Sequence, residues 1–228
     1  MTPSFPLGVT VDELAAAYPR LYHMAESGSW PSIRRHGLLS TSSLLSLFKV
    51  RGAARTKIES AHRPVSVPIR HSEYGAAVVR DQIPMRDADL TKCLRDGTTP
   101  REWYELLNSM VFFWVTEQRL ETLLGARAYR DKSHTVLILD TKTLVRDCAP
   151  RVRLSPMNSG ATRPMPHPRG RETFLPLDEY PFKARHKRSS MNAVVELAVV
   201  GGVKSVESYV IEVWERSIDQ PGRVIWRP

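Results

Sequence analysis

The sequence predicts a single α+β domain. Helical patterns crowd the first half of the chain and strand patterns the second, without the regular strand–helix alternation of a parallel doubly wound sheet. The chain has 228 residues, of which 42% are hydrophobic, so it can bury a substantial core. Because the sequence shows no internal repeat, we expect one domain over residues 1–228.

Short helices around one strand are predicted for the N-terminal part of the chain. Pro19 ends the first helical pattern, because proline cannot donate a backbone hydrogen bond. Pro31 in a first turn and Gly37 after a last turn are typical of helix ends. These signals predict helices at 11–18, 29–37 and 43–48, a strand at 20–24, and an irregular, mobile connection at 51–70.

The middle of the chain carries clear boundary signals. Thr99 before Pro100 is typical of a helix start, and Thr116 is placed to cap a later helix. The run 110–115 is aromatic and β-branched, which favours a strand. We predict strands at 76–80, 110–115 and 135–140, helices at 87–94, 99–107 and 116–124, and a short helix or turn at Leu144.

The last third begins with a stretch rich in proline and glycine. These residues recur between positions 154 and 188, which predicts a long irregular excursion and not a second domain. The run 193–200 then predicts a buried strand, and 208–215 alternates with period two as a final strand.

Positive charge is concentrated in that same stretch. The net charge is +9 and the isoelectric point is near 9.8. Between residues 151 and 190, nine Lys and Arg oppose three acids, a net of +6, so two thirds of the net charge lies there. Because clustered cations attract polyanions, the stretch is either a solvated, solubilising loop or a surface that contacts phosphates or nucleotides.

Several classes of protein lose support from the sequence. Cys93 and Cys148 form neither a disulfide framework nor a metal motif, which favours a reducing compartment, and we expect the cytoplasm. Residues 1–6 lack an export signal, and no run approaches the roughly 18 apolar residues of a membrane span. Because glycine-rich phosphate loops, HExxH, paired CxxC and GxSxG are absent, we expect no metal and no Rossmann cofactor binding.

One acid stands out in the most apolar strand pattern. Glu196 lies within the run 193–200, directly after the basic stretch. A carboxylate among β-branched residues is costly to desolvate, and a partly desolvated carboxyl group has a tunable pKa. Glu196 is therefore the first candidate for a catalytic residue.

Four blocks of sequence share their order and character with a known family. They are Leu-Tyr-His at 21–23, Ser-Ile-Arg-Arg-His-Gly-Leu-Leu-Ser at 32–40, the aromatic strand 111–116, and the Glu196 strand after a variable loop. This order resembles the ADP-ribosyltransferase-fold enzymes of the DarT type, which modify DNA bases. A more distant similarity is to RNA 2′-phosphotransferases. The segment 114–119 departs from the Asn-Pro-Arg style of DarT, which points to a separate branch with a different acceptor.

The resemblance implies a split β-sheet core with peripheral helices and NAD as a substrate bent between two sheets. It implies catalytic roles for Glu196 and His23 and a nucleic acid or nucleotide as acceptor, in a toxin-like activity with an antitoxin or regulatory partner. The implied NAD-contacting residues are Tyr22, His23, Gly37, Leu39, Arg51, Arg55 and Trp114, with one of the arginines on the pyrophosphate. The implied acceptor-binding residues are Lys183, Arg185, Lys187 and Arg188.

Each of these residues also has an ordinary structural alternative. His23 is then a hydrogen-bonded structural histidine, Trp114 a core residue, and Arg51 and Arg55 surface charges. Glu196 is then a solvent-facing strand residue. For the whole protein, the alternatives are a nucleic-acid-binding module without catalysis and an inactive relative of the fold that scaffolds a partner. The sequence does not identify the acceptor.

Overall fold

A seven-stranded sheet organises the chain, and all neighbouring strands in it are antiparallel. The computed structural model describes residues 7–163 and 165–228. The strands are β1 (Arg20–Glu26), β2 (Leu38–Leu39), β3 (Val67–His71), β4 (Gly75–Val79), β5 (Met110–Trp114), β6 (His134–Asp140), β7 (Val152–Ser155), β8 (Glu196–Val200), β9 (Gly202–Val203), β10 (Val210–Arg216) and β11 (Arg223–Trp226). The order in the large sheet is β11-β10-β6-β1-β5-β8-β7, and β2–β9 and β3–β4 form two small sheets.

Short helices surround the sheet. Within the described ranges they are α1 (Val11–Ala17), α2 (Trp30–His36), α3 (Thr41–Leu47), α4 (Gly52–Glu59), α5 (Asp87–Cys93), α6 (Pro100–Asn108), α7 (Glu117–Leu124), α8 (Thr141–Cys148) and α9 (Phe182–Arg188). In this described part of the chain, no helix has both the length and the apolar character that a membrane crossing needs. Residues 1–6, for which the sequence predicts no export signal, lie outside the described part.

Alternation along the central strands separates two faces of the sheet. Leu21, Phe113 and Leu197 point into the main core, which also contains apolar residues of α1 and α8. Burial of each such side chain contributes roughly 1.5–3 kcal/mol. Tyr22 and Trp114 point to the opposite face, towards α7. Since Glu196 lies beside Trp114 in the strand register, it shares that second face.

The sheet forks between β1 and β5. β1 pairs with β6 along its whole length, from Arg20↔Asp140 to Glu26↔His134. With β5 it shares the register pair Tyr22↔Trp114 and, among the described residues, no other. Beyond that pair, residues of both strands line a cavity. We call this divergence of the two strands the fork.

The α+β prediction is confirmed, and most element boundaries agree within a few residues. Thr99 caps α6 in a complete capping box with Glu102, as its position before Pro100 predicts. Thr116 precedes α7, but its side chain makes no capping hydrogen bond. The predicted helix and its N-cap position are thus confirmed, but Thr116 provides no side-chain cap.

Two irregular regions are more ordered than the sequence predicts. The segment 51–70 contains α4 and most of β3, because Ile58 and Ile69 are buried in a cluster with Leu45 and Phe48. The stretch 154–188 ends in α9, whose Phe182 is buried in the main core. The run 208–215 is not the final strand, since β11 follows and pairs with β10.

Candidate functional site

A cavity of about 490 Å³ opens at the fork. Its walls come from β1 and β5, from the segment that runs from α2 to α3, from β4, and from residues 158–161 after β7. Six of the residues predicted from the sequence line it, namely Tyr22, His23, Gly37, Leu39, Trp114 and Glu196. The fold therefore brings together residues that lie far apart in sequence.

Glu196 is a buried carboxyl group at the first residue of β8. It lies opposite Trp114 on one side and Ser155 on the other, and it is 4% exposed, so the solvent-facing alternative is wrong. Its Oε2 accepts a hydrogen bond of 3.0 Å from the Ser159 backbone N–H. Burial raises its pKa to about 7, although hydrogen bonding from Ser159 and the charges of Arg169 and Arg119 act in the opposite direction. Glu196 is therefore poised to exchange a proton near neutral pH.

His23 is a neutral histidine at the fork. Its Nδ1 lies 2.8 Å from the carbonyl oxygen of Phe112, which can only accept, so Nδ1 carries the proton and donates. Nε2 is then left with a free lone pair, and no bond to it occurs within the described residues. Burial lowers the pKa of His23 to about 4, with a smaller contribution from the charge of Arg80, so the ring is uncharged at pH 7.

Tyr22 and Trp114 are aromatic residues that line the cavity beside Glu196. Tyr22 is buried, and Trp114 packs against the same cluster while remaining partly accessible from the cavity. Both residues belong to the core and to the cavity wall at once. The core alternative for Trp114 therefore does not exclude contact with a ligand.

Gly37 and Leu39 lie where β2 pairs with β9. Gly37 has φ +88°, and a Cβ built there would lie 2.4 Å from the carbonyl oxygen of Lys204. Leu39 pairs with Gly202, whose own Cβ would be equally close to Leu38. Close backbone packing thus explains why position 37 needs a glycine, and no ligand has to be invoked. Gly37 nevertheless lines the cavity.

Arg51 and Arg55, the predicted pyrophosphate ligands, lie outside the lining of the cavity. Arg51 is exposed before α4, and Arg55 pairs with Glu59 one helical turn away, with an Nε–Oε2 distance of 2.6 Å. Neither lines the cavity in the described part of the chain. An i,i+4 ion pair holds the guanidinium of Arg55 on its own helix, which is the physical reason why it lies away from the cavity.

Two other arginines line the cavity. Arg63 is 5% exposed, and its guanidinium donates to the backbone oxygens of Arg80 and Ile58 and to the side chain of Asn108. Arg80 donates from Nη1 to the backbone oxygen of Met24 at 2.9 Å. Arg80 also lies 4.7 Å from the ring centroid of Tyr129. Because a guanidinium has five N–H donors, Arg80 retains donors for a ligand.

The predicted acceptor-binding residues lie on α9, outside the cavity. Lys183 pairs with Glu13 at 3.3 Å, and Arg185 donates to the backbone oxygen of Ala193 at 3.1 Å, while Lys187 and Arg188 are exposed. A second cavity of about 290 Å³ lies beside α9 and is lined by Arg20, His186 and Tyr22, among others. Tyr22 is shared with the first cavity, so the two cavities adjoin.

Sequence reasoning missed Arg80, Ser159 and Arg169. Arg80 directly follows an apolar strand pattern, a position that could have drawn attention to it. Ser159 and Arg169 lie in the stretch rich in proline and carried no comparable signal. Among the described residues, no group of three or more His, Cys, Asp or Glu side chains could hold a metal ion.

Comparison with known proteins gives a family. No curated protein and no solved structure matches the chain. A family model described as a family of unknown function, DUF7002, matches residues 19–210, a span that contains the whole lining of the first cavity. The chain therefore belongs to the DUF7002 family.

Proposed function

We propose that the protein is an NAD-dependent mono-ADP-ribosyltransferase that acts on a nucleic acid or nucleotide. The observation that carries this proposal is the joint placement of Glu196 and His23 in one cavity at the fork of the sheet. Both are residues to which the sequence resemblance to DarT-type enzymes assigns catalytic roles. A carboxylate can accept a proton, and a neutral imidazole can accept a hydrogen bond from a ribose hydroxyl.

The cavity suits NAD in size and in the groups that it offers. Its volume of about 490 Å³ lies within the range of roughly 300–1,000 Å³ that is typical of sites for small molecules. Nε2 of His23 can accept a hydrogen bond from a ribose hydroxyl. Oε1 of Gln82, a lining residue, is buried without a partner in the described part of the chain, and a ligand donor would satisfy it. Arg80, rather than Arg51 or Arg55, supplies the cation for the pyrophosphate.

The reaction breaks the bond between the ribose C1′ and the nicotinamide nitrogen, and nicotinamide leaves with the electron pair. Positive charge then develops at C1′, and the ionised Glu196 stabilises it while accepting a hydrogen bond from the ribose 2′-hydroxyl. The nucleophile of the acceptor forms the new bond to C1′ and gives its proton to Glu196. A pKa of about 7 suits this role, since a general base works best when its pKa is near the operating pH.

The acceptor reaches the site from the side of α9. The second cavity adjoins the first at Tyr22 and carries Arg20 and His186 in its lining. Exposed cations of α9, such as Arg188, extend the positive surface outward. Phosphates of a nucleic acid are the polyanions that such a surface attracts.

The proposal is tested by incubating the purified protein with labelled NAD and a panel of DNA, RNA, nucleotide and protein acceptors. Wild type is expected to release nicotinamide and to label one class of acceptor. Glu196→Gln is expected to bind NAD but to lose release by at least about a hundredfold, in line with loss of a positioned proton acceptor. Glu172→Gln, at an exposed glutamate, is the matched control and is expected to behave as wild type. A wild type that neither binds NAD nor releases nicotinamide with any acceptor would overturn the proposal.

A second candidate is a nucleic-acid-binding protein without catalysis. It is favoured by the cations of α9, which lie on an exposed helix outside the cavity. This candidate predicts affinity for DNA or RNA with a steep salt dependence and no NAD binding. An NAD-independent pull-down of a protein partner would point instead to a scaffolding role.

A further inference from the structure

A short loop covers Glu196, and we call residues 156–163 the Glu196 loop. Its Ser159 is 2% exposed and donates its backbone N–H to the Glu196 carboxylate at 3.0 Å. Thr162 anchors the other end of the loop, because its N–H and its hydroxyl both donate to the backbone oxygen of Pro84, at 3.2 and 3.1 Å. The loop is therefore folded against the site.

The side chain of Arg169 forms hydrogen bonds to the backbone of this loop. It is 2% exposed, and its guanidinium donates to three backbone oxygens, those of Ser159 at 2.8 Å, Ala161 at 2.8 Å and His167 at 3.1 Å. The guanidinium also lies 5.8 Å from the ring centroid of Trp103. No carboxylate is bonded to it within the described residues. A buried cation that donates to three carbonyl oxygens restrains the positions of those carbonyls.

The backbone of Arg169 is itself fixed. Its N–H donates to the backbone oxygen of Cys93 at 2.9 Å, and its own oxygen accepts from the N–H of Arg95 at 2.9 Å. These two bonds tie Arg169 to the end of α5, a helix packed on α6. The backbone that carries the guanidinium is thus anchored by hydrogen bonds to the end of α5.

We propose that Arg169 is a positioning residue for Glu196, acting through Ser159. Ser159 is held at both backbone groups, since its oxygen accepts from Arg169 while its N–H donates to Glu196. Arg169 thereby keeps the loop closed over the carboxylate and keeps a donor aimed at one of its oxygens. In the catalytic sense this inference rests on the proposed function, but the coupling of the three residues can be measured without NAD.

The charged and titratable groups around Glu196 come from several elements. Arg169 and, from α7, Arg119 act on its carboxylate and favour the ionised form. Tyr22 and His23 line the same cavity from β1. The remaining charged groups of the lining are Glu26, Arg63, Arg80 and Asp81.

The test compares Arg169 with Arg63, which offers a matched control. Both are buried arginines whose guanidinium groups are satisfied by oxygen atoms without an ion pair, but the charge that acts on Arg63 is Asp81 and not Glu196. The variants are Arg169→Gln, Arg169→Lys and Arg63→Gln. The readouts are the titration midpoint of Glu196, followed by ¹³C NMR of its carboxyl carbon, and hydrogen exchange of the Glu196 loop.

Arg169→Gln is expected to raise the Glu196 midpoint, because it removes a positive charge and loosens a donor. It is also expected to accelerate exchange in the loop by about tenfold to a hundredfold, the equivalent of one charged hydrogen bond. Arg169→Lys keeps the charge but not the three carbonyl contacts, so its loop exchange is still expected to rise, and its midpoint is expected to rise less than that of Arg169→Gln. Arg63→Gln is expected to destabilise the fold, but to leave unchanged the Glu196 midpoint and the exchange of the Glu196 loop relative to the rest of the protein.

The inference is overturned if Arg169→Gln and Arg63→Gln give the same midpoint and the same loop exchange. If Arg169→Gln does not fold, Arg169→Lys decides the matter, since unchanged loop exchange in that variant would equally overturn the inference. Nicotinamide release is measured in parallel. Failure of release in wild type would count against the proposed function alone, whereas an unchanged midpoint and loop exchange would count against the positioning role alone.

Discussion

Replacing Glu196 with glutamine is expected to change how the stability of the protein depends on pH. Glutamine has nearly the same shape as glutamic acid and can still accept the hydrogen bond from Ser159, but it does not titrate. The comparison therefore isolates the proton linkage of one buried group. It requires no ligand and no assumption about activity.

The magnitude follows from the pKa of Glu196. In the folded protein it is raised to about 7, whereas its ordinary value in an unfolded chain is 4.5. Between these two values the unfolded chain has lost the proton and the folded protein has kept it, so stability falls as pH rises. Above about pH 7 both states are ionised and the loss is complete. A difference of about 2.5 pH units corresponds to about 3 kcal/mol.

The assay is urea denaturation of wild type and Glu196→Gln from pH 4 to pH 9. We expect the stability of the variant relative to wild type to rise by about 3 kcal/mol between pH 4 and pH 8, whatever the offset at pH 4. Glu172→Gln, at an exposed glutamate, is expected to show no such rise. A constant difference between Glu196→Gln and wild type across this range would refute the assignment of a desolvated carboxyl group.

Three further predictions concern the cavity and α9. Arg80→Met is expected to weaken NAD binding by about tenfold in calorimetry, and Arg55→Met to leave it unchanged, because Arg80 lines the cavity and Arg55 does not; equal effects would contradict this assignment. His23→Asn keeps a donor for the Phe112 oxygen but lacks Nε2, so its melting temperature is expected to stay near wild type while nicotinamide release falls at least tenfold. Arg188→Glu is expected to weaken oligonucleotide binding and to reduce its salt dependence, whereas Arg223→Glu, at an exposed arginine of the edge strand β11, is the control.

Elements with local boundary signals could be predicted from the sequence. Thr99 and Glu102 form a capping box that is visible as a short motif, and Gly37 ends α2 as its position predicts. α4 could not be predicted in this way, since it has a weak periodicity and Ile58 gains its burial from residues elsewhere in the chain. β11 is likewise ordered by pairing with β10, a partner that its own sequence does not reveal.

The candidate site was predictable where it lies on strands. Glu196 and His23 lie in strands whose apolar patterns are clear in the sequence, so their positions in the sheet could be predicted. The arginines were not predictable, because a guanidinium group reaches its partner through a long side chain and the partner decides its role. Arg55 binds Glu59 on its own helix, an i,i+4 pair that becomes recognisable once the segment is known to be helical. Arg169 donates to backbone oxygens, which every residue has, so the sequence does not reveal its partners.

The structural role of His23 and its proposed chemical role are compatible. The hydrogen bond from Nδ1 to the Phe112 oxygen engages a carbonyl of β5 at the point where β1 no longer pairs with that strand. The bond therefore gives the Phe112 carbonyl group a hydrogen-bond donor at the fork, and it helps to keep the cavity open. The same bond fixes the proton on Nδ1, which leaves Nε2 as an acceptor. The bond that gives His23 its structural role also leaves Nε2 ready to accept a hydrogen bond from a ligand. The burial that keeps the ring uncharged therefore supports the proposed site.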